Sequence, residues 1–158
     1  MARVQLITTE IFNNLETLAR ASPRRRINHN FHDGPSDNPH RMLNVLLRGT
    51  YVRPHRHVTP PKSEAFLTLT GRVGIVCFDD GGSVEACYEL NADGPVRGID
   101  LPTGVWHTVI ALTAVSVCYE VKPGPWDAAS DKDFAEWAPA EGEPAADAVV
   151  KEWEALFT

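Results

Sequence analysis

The sequence predicts a mainly β protein, an all-β sandwich or barrel with a short helix near each end. Two observations carry this reading. Between residues 42 and 121 run six short β-branched or aromatic segments, MLNVLLRGTYV, EAFLTLTGRVGIVCF, SVEACYEL, VRGIDL, WHTVIAL and VSVCYEV, broken by the turns RG, TG, DDGG, NADG, PTG and KPG. Helical periodicity occurs only outside that block, which argues against a parallel βαβ sheet. The chain of 158 residues is long enough for one domain with a substantial core, and 43% hydrophobic with 23% charged residues is ordinary for a globular protein.

Residues 9–21 read as the first helix, with Ile11, Leu15, Leu18 and Ala19 on one face, Glu10 in the first turn and Pro23 just beyond. The polar stretch RRRINHNFHDGPSDNPHR reads as loop with one short strand. The six apolar runs follow. Residues 131–137 suit a single short helical turn. After the linker APAEGEPAA, residues 145–157 align Val149, Val150, Trp153, Leu156 and Phe157 on one helical stripe.

A net charge of -6 argues against a broad nucleic-acid or anionic-membrane surface, so neither is expected as a partner. No apolar run has the length of a membrane span, and the N-terminus does not read as a signal peptide. Cys77, Cys87 and Cys118 are odd in number and set in apolar-rich segments, as expected of buried free thiols in a reducing cytoplasm. There is no CxxC pair, no GxxxxGK[ST] and no GxGxxG.

The chemistry concentrates in PHRHVTPPKSE, residues 54–64. Alternate residues of a strand share a face, so His55 and His57 aim two imidazoles into one space. A Pro-Pro turn lets the chain fold back and bring Glu64 beside them. Imidazole and carboxylate suit first-row divalent metals. His107 follows a PTG turn inside an apolar strand and needs either a hydrogen bond or a metal there. An isolated HxH is weak and also fits a charged turn; the four residues together are a stronger signal.

Other polar residues are candidates for substrate binding. Arg53 shares the parity of the two histidines, while Arg56 points away; Arg53 fits either the cavity or the barrel rim. Arg26, Asn28 and Asn30 share one face if their stretch is a strand. They read as a lid with an anion-binding guanidinium and amides for sugar hydroxyls, or as a solvated basic loop. His32 and His40 read as surface histidines of a loop. Packing is the favoured role for Tyr51, Trp106 and Trp126, with sugar stacking as the alternative. Glu120 reads as a base if it faces the cavity, and otherwise as the partner of an arginine.

These residues resemble the cupin superfamily. Its first motif, G-x5-H-x-H-x3-4-E-x6-G, corresponds to GTYVRPHRHVTPPKSEAFLTLTG with Gly49, His55, His57, Glu64 and Gly71, and its second to Pro102, Gly104 and His107. The chain departs once, with six residues between His57 and Glu64. A closer resemblance is to the WbuC family of cupin-fold metalloproteins, through SPRRRINHN, RMLNVLLRGTYVRPHRH, LPTGVWHTVIAL, VKPGPW and FAEWAPAEG, over residues 8–142. The resemblance implies a small jelly-roll-like cupin barrel, with residues 1–142 as the domain and 143–158 as a C-terminal helix on or near it. It implies one divalent metal ion per chain (Fe, Mn, Zn or Ni) on His55, His57, Glu64 and His107. It further implies a role near bacterial surface polysaccharide metabolism. The expected function is a metal-dependent enzyme on a small sugar-like or anionic metabolite, an isomerase or epimerase, or a dioxygenase if the metal is iron. The alternatives are a non-catalytic sugar or nucleotide-sugar binding module, and a homodimer braced by its metal.

Overall fold

Two antiparallel five-stranded sheets face each other across an apolar interior. The computed structural model describes residues 4–158. The elements run α1 (Thr9–Ala21), β1 (Arg26–Asn30), β2 (His40–Leu47), β3 (His55–Arg56), β4 (Glu64–Thr70), β5 (Arg72–Phe78), β6 (Val84–Asn91), β7 (Gly98–Leu101), β8 (Trp106–Ala111), β9 (Val115–Lys122), β10 (Asp133–Phe134) and α2 (Ala145–Glu154), which ends in a 3-10 turn, Ala155–Phe157. One sheet has the order β1-β2-β9-β4-β7 and the other β10-β3-β8-β5-β6. Consecutive strands thus alternate between sheets at several points, the mainly β, jelly-roll-like barrel the sequence anticipates. Inward residues of both sheets, among them Leu46, Phe66, Val73, Ile75, Leu90, Leu101, Val109 and Cys118, form the central core.

The helices cover the outside of the barrel. Thr8 caps α1 by accepting from the Ile11 amide at 3.3 Å. The helix buries Leu15 and Ala19 against Leu43, Val45 and Val117 of the first sheet. Leu18 lies at the margin of the stripe and is exposed. Helix α2 buries Ala146, Val150 and Trp153 on the second sheet. Trp153 stacks on Tyr51 at 5.9 Å between ring centroids and meets Phe78 at 5.5 Å. Phe157 seats its ring over Gly74, where a Cβ would come within 2.6 Å of it, so a side chain at 74 would displace the end of the helix. Leu156 faces solvent.

Several expectations need correction. Residues 131–137 do not form a helical turn. Asp133 and Phe134 instead pair with Arg56 and His55 as β10, because a free strand edge and the Asp133 carboxylate, 2.9 Å from Arg56 Nε, outweigh local preference. The polar stretch contains all of β1, which pairs along its length with residues 42–46 of β2, and the first two residues of β2, which pair with β9. His40 is therefore not a loop residue: it opens β2, is buried, and lies parallel to His32 with centroids 4.1 Å apart. Cys87 is exposed because β6 is an edge strand; Cys77 and Cys118 are buried. Burial pushes the Cys118 thiol up to about 12 and also raises Cys77. Among the described residues, no helix is long and apolar enough to cross a membrane.

Candidate metal centre

The candidate ligands come from both sheets. His55 on β3 lies directly across from His107 on β8. His57 follows in the connecting segment, and Glu64 opens β4 in the opposite sheet. The six residues between His57 and Glu64 close through a bridge between Val58 and Pro61, so the extra length loops outward and still returns the carboxylate. All four side chains are buried. Ligand atoms of His55, His57 and Glu64 lie within 4.8 Å of one another. His107 approaches the other oxygen of Glu64, with Nε2 to Oε2 at 2.9 Å, while His57 Nε2 is 3.0 Å from Oε1.

The protons on the three rings follow from their backbone contacts. His55 Nδ1 faces the Arg53 carbonyl at 3.0 Å, His107 Nδ1 the Val105 carbonyl at 2.9 Å, and His57 Nδ1 the Asp131 carbonyl. A carbonyl only accepts, so each Nδ1 carries a proton and each ring turns its Nε2 inward. Apart from their approach to one another, His57 Nε2, His107 Nε2 and Glu64 Oε2 have no hydrogen-bond partner among the described residues despite their burial. Lone pairs of two nitrogens and a carboxylate at 2.9–3.0 Å repel unless positive charge lies among them. That charge is either additional protons on His57 and His107 or a metal ion. For ligands at about 2.1 Å from a metal, a right-angle arrangement separates neighbours by about 3.0 Å, so the observed spacing fits a metal.

The acidities agree with a need for positive charge. Burial favours the neutral Glu64 carboxyl, but hydrogen bonding with His107 and His57 outweighs it and holds the group well below the usual carboxylate range. Burial, reinforced by the charges of Lys132 and His107, keeps the His55 ring neutral by pushing it well below 6.5. The unfolded chain therefore binds a proton at His55 at higher pH than the folded chain does. The metal-free protein should keep its full stability above pH 6.5 and lose it as pH falls from there towards the folded value of His55. A urea midpoint that stays level between about pH 8 and pH 5.5 would contradict this.

Beside the ligands lies a cavity of about 110 Å³. His55 and Glu64 line it, Val52, Leu46, Phe66, Val109 and Cys118 form apolar walls, and Glu120, Asn44, Lys122 and Lys132 supply polar groups. Glu120 faces this space and, among the described residues, partners no arginine, contrary to expectation. It accepts from Asn44 Nδ2 at 2.5 Å and sits 3.4 Å from Lys122 Nζ. Burial and the charge of Glu64 raise its carboxyl above 4.5. Lys122 also reaches Glu64 at 3.5 Å and Asp131 at 3.2 Å. These carboxylates overcome burial and raise its ammonium above the ordinary value. Asp131 in turn accepts from Lys62 at 2.7 Å.

The predicted substrate-binding residues divide. Arg26 and Asn28 line the cavity, and Asn30 lines a contiguous outer vestibule of about 550 Å³. Arg26 is bound to the Tyr51 carbonyl at 2.6 Å and to Glu141 at 2.8 Å. Arg53 lines neither space; its guanidinium donates to the Ala135 carbonyl at 2.7 Å and lies over Phe134. The strand parity of Arg53 was readable, but β10, which captures its side chain, was not. Tyr51 and Trp106 pack beneath α2, and Trp126 is half-exposed at the vestibule. The inward role of Asn44, Lys122 and Lys132 was missed. For Asn44 and Lys122 a signal existed, since each is polar at an inward position of an apolar strand.

Comparison with known proteins follows from this geometry. Residues 7–90 match a family model described as a domain of unknown function, DUF6016. No curated protein matches the chain. Its structure is similar to CapF with the inhibitor 3-isopropenyl-tropolone, at 22% identity and a TM-score of 0.61, over 73% of this chain and 33% of that one. It is also similar to the capsular polysaccharide assembling protein CapF from Staphylococcus aureus, at 22% identity and a TM-score of 0.58, over 69% and 29%. A cupin superfamily protein from Desulfitobacterium hafniense is similar at 15% identity and a TM-score of 0.48, over 62% and 76%. The chain spans about a third of the length of the CapF chains, and the likeness to them is one of fold.

Proposed function

The chain belongs to the DUF6016 family, and we propose that it is a cupin-type metalloprotein whose centre serves an enzyme acting on a small anionic or sugar-like molecule. The observation that carries this reading is the convergence of buried imidazole Nε2 atoms on the Glu64 oxygens beside a cavity. Three imidazoles and a carboxylate would hold one divalent ion, with His107 completing the set of His55, His57 and Glu64. When bound, such an ion polarises a carbonyl or hydroxyl oxygen of a ligand.

The protein's own groups favour proton-transfer chemistry, as in an isomerase or epimerase. Glu120 is buried, faces the cavity and carries a raised carboxyl, so it can hold a proton at its Oε1 and exchange it with a ligand. Asn44 fixes the carboxyl plane through Oε2. Leu46, Val52, Phe66, Val109 and Cys118 set apolar walls around that exchange. A place in surface polysaccharide metabolism is supported by the resemblance to the WbuC family and by the fold shared with a capsular polysaccharide assembling protein. A cytoplasmic homodimer belongs to the same reading.

Elemental mass spectrometry tests the centre, on untagged protein never exposed to chelator. Wild type should carry about one equivalent of a divalent metal, and His57→Ala less than about a tenth. Less than about a tenth in wild type, even after reconstitution, would sink the proposal.

A further inference from the structure

The cavity and the vestibule adjoin as a double chamber with a shared lining. Both are lined by Arg24, Asn28, Met42, Lys122 and Lys132. In a chain of net charge -6, the inner part of this space is locally positive, while Asp33 and Asp131 of the outer part bring the two together into balance. The inner part alone has four cationic side chains, Arg24, Arg26, Lys122 and Lys132, against the carboxylates of Glu64 and Glu120. A divalent ion at Glu64 would add to the excess.

Three of these cations are already engaged. Lys122 lies among Glu64, Glu120 and Asp131. Arg26 and Arg24 both bind Glu141, Arg24 at 2.6 Å. Lys132 is different. Among the described residues its ammonium has no hydrogen-bond or ion-pair partner, although it stands where the two chambers meet. Desolvation and the neighbouring charge of Lys122 disfavour its ammonium form and outweigh the charges of Glu64, Glu120 and Asp131, none of which is within ion-pair distance. An unpaired cation in a partly desolvated site is relieved by an anion. The vestibule beyond it has another character. It offers the amides of Asn28 and Asn30 and the half-exposed indole of Trp126, held by its backbone amide to the Pro35 carbonyl at 2.7 Å. Amides matched to hydroxyls and an aromatic face matched to a ring are the chemistry of carbohydrate recognition.

We propose that the double chamber binds an acidic monosaccharide, with its carboxylate or phosphate on Lys132 and its ring in the vestibule against Trp126, Asn28 and Asn30. This deepens the metal-centre reading, since it names the ligand of the same site, but the ion pair at Lys132 does not need the metal.

Isothermal titration of the full chain, metal-free and zinc-loaded, tests this with glucuronate, glucose 1-phosphate, glucose and inorganic phosphate. One of the two acidic sugars should bind at least about tenfold more tightly than glucose, and which one identifies the anion as carboxylate or phosphate. Lys132→Met should lose at least about tenfold of that affinity while keeping wild-type metal content. Trp126→Ala should weaken the acidic sugar and leave inorganic phosphate unchanged. Equal binding of glucose, unchanged affinity in Lys132→Met, inorganic phosphate as tight as the acidic sugar, or no heat with any acidic sugar would each overturn the assignment. If zinc fails to bind but Lys132→Met still loses the acidic sugar, the metal reading falls and this one stands.

Discussion

Asp131→Ala is expected to destabilise the protein by about 3–5 kcal/mol, measured by urea unfolding at neutral pH. Asp131 is 4% exposed, and its two oxygens serve two buried lysines, Lys62 at 2.7 Å and Lys122 at 3.2 Å. Lys62 is 3% exposed and Lys122 6%, so neither ammonium has water in place of the lost carboxylate. Lys122 would keep Glu120 and Glu64, while Lys62 would keep only the Pro125 carbonyl at 2.6 Å. The penalty therefore falls mostly on Lys62. A Lys62→Met, Asp131→Leu pair should recover much of the loss, since it removes the stranded charge together with its partner. The pH dependence has a defined sign. Lys122 and Lys62 outweigh burial and hold the Asp131 carboxyl below 3.8, so its contribution is complete above that value and disappears as pH falls through the lower folded value. A loss in Asp131→Ala of less than about 1 kcal/mol would mean that both lysines reach solvent, and the buried network would have to be abandoned.

Removal of the metal is expected to have the next largest effect. With free metal at a hundred times its dissociation constant, the loaded protein should be more stable than the chelated one by about 2.7 kcal/mol. The physical source is local. Without the ion, His57 Nε2 and His107 Nε2 face the Glu64 oxygens at 3.0 and 2.9 Å, and protons must replace it. In His57→Ala the difference between loaded and chelated protein should vanish, even though the substitution itself weakens the fold. A chelation effect of equal size in that variant would place the metal somewhere else. Differential scanning fluorimetry with and without chelator, on both proteins, reads the comparison directly.

What the sequence determined by itself is what depends on near neighbours. Short apolar runs between Gly-rich turns marked the barrel strands, and 3.6-residue periodicity with Glu10 in the first turn and Pro23 just beyond marked α1. The spacing of His55 and His57, the return to Glu64 and the turn before His107 were legible because each is set within a few residues. The helical period, the strand parity and the turn are all local. Tertiary structure alone decided the rest. Residues 131–137 became a strand because β3 offered a partner, and that strand took Arg53 away from the cavity. His40 was buried by pairing with β9, opposite Lys122. Lys62, Asp131 and Lys132 look like ordinary surface charges along the chain. Only the closing of two sheets over them, against segments tens of residues away, removed the water that would have hidden their interactions. Burial is a property of the whole fold, and it turns a lysine into either a buried partner or an unpaired seat for a ligand.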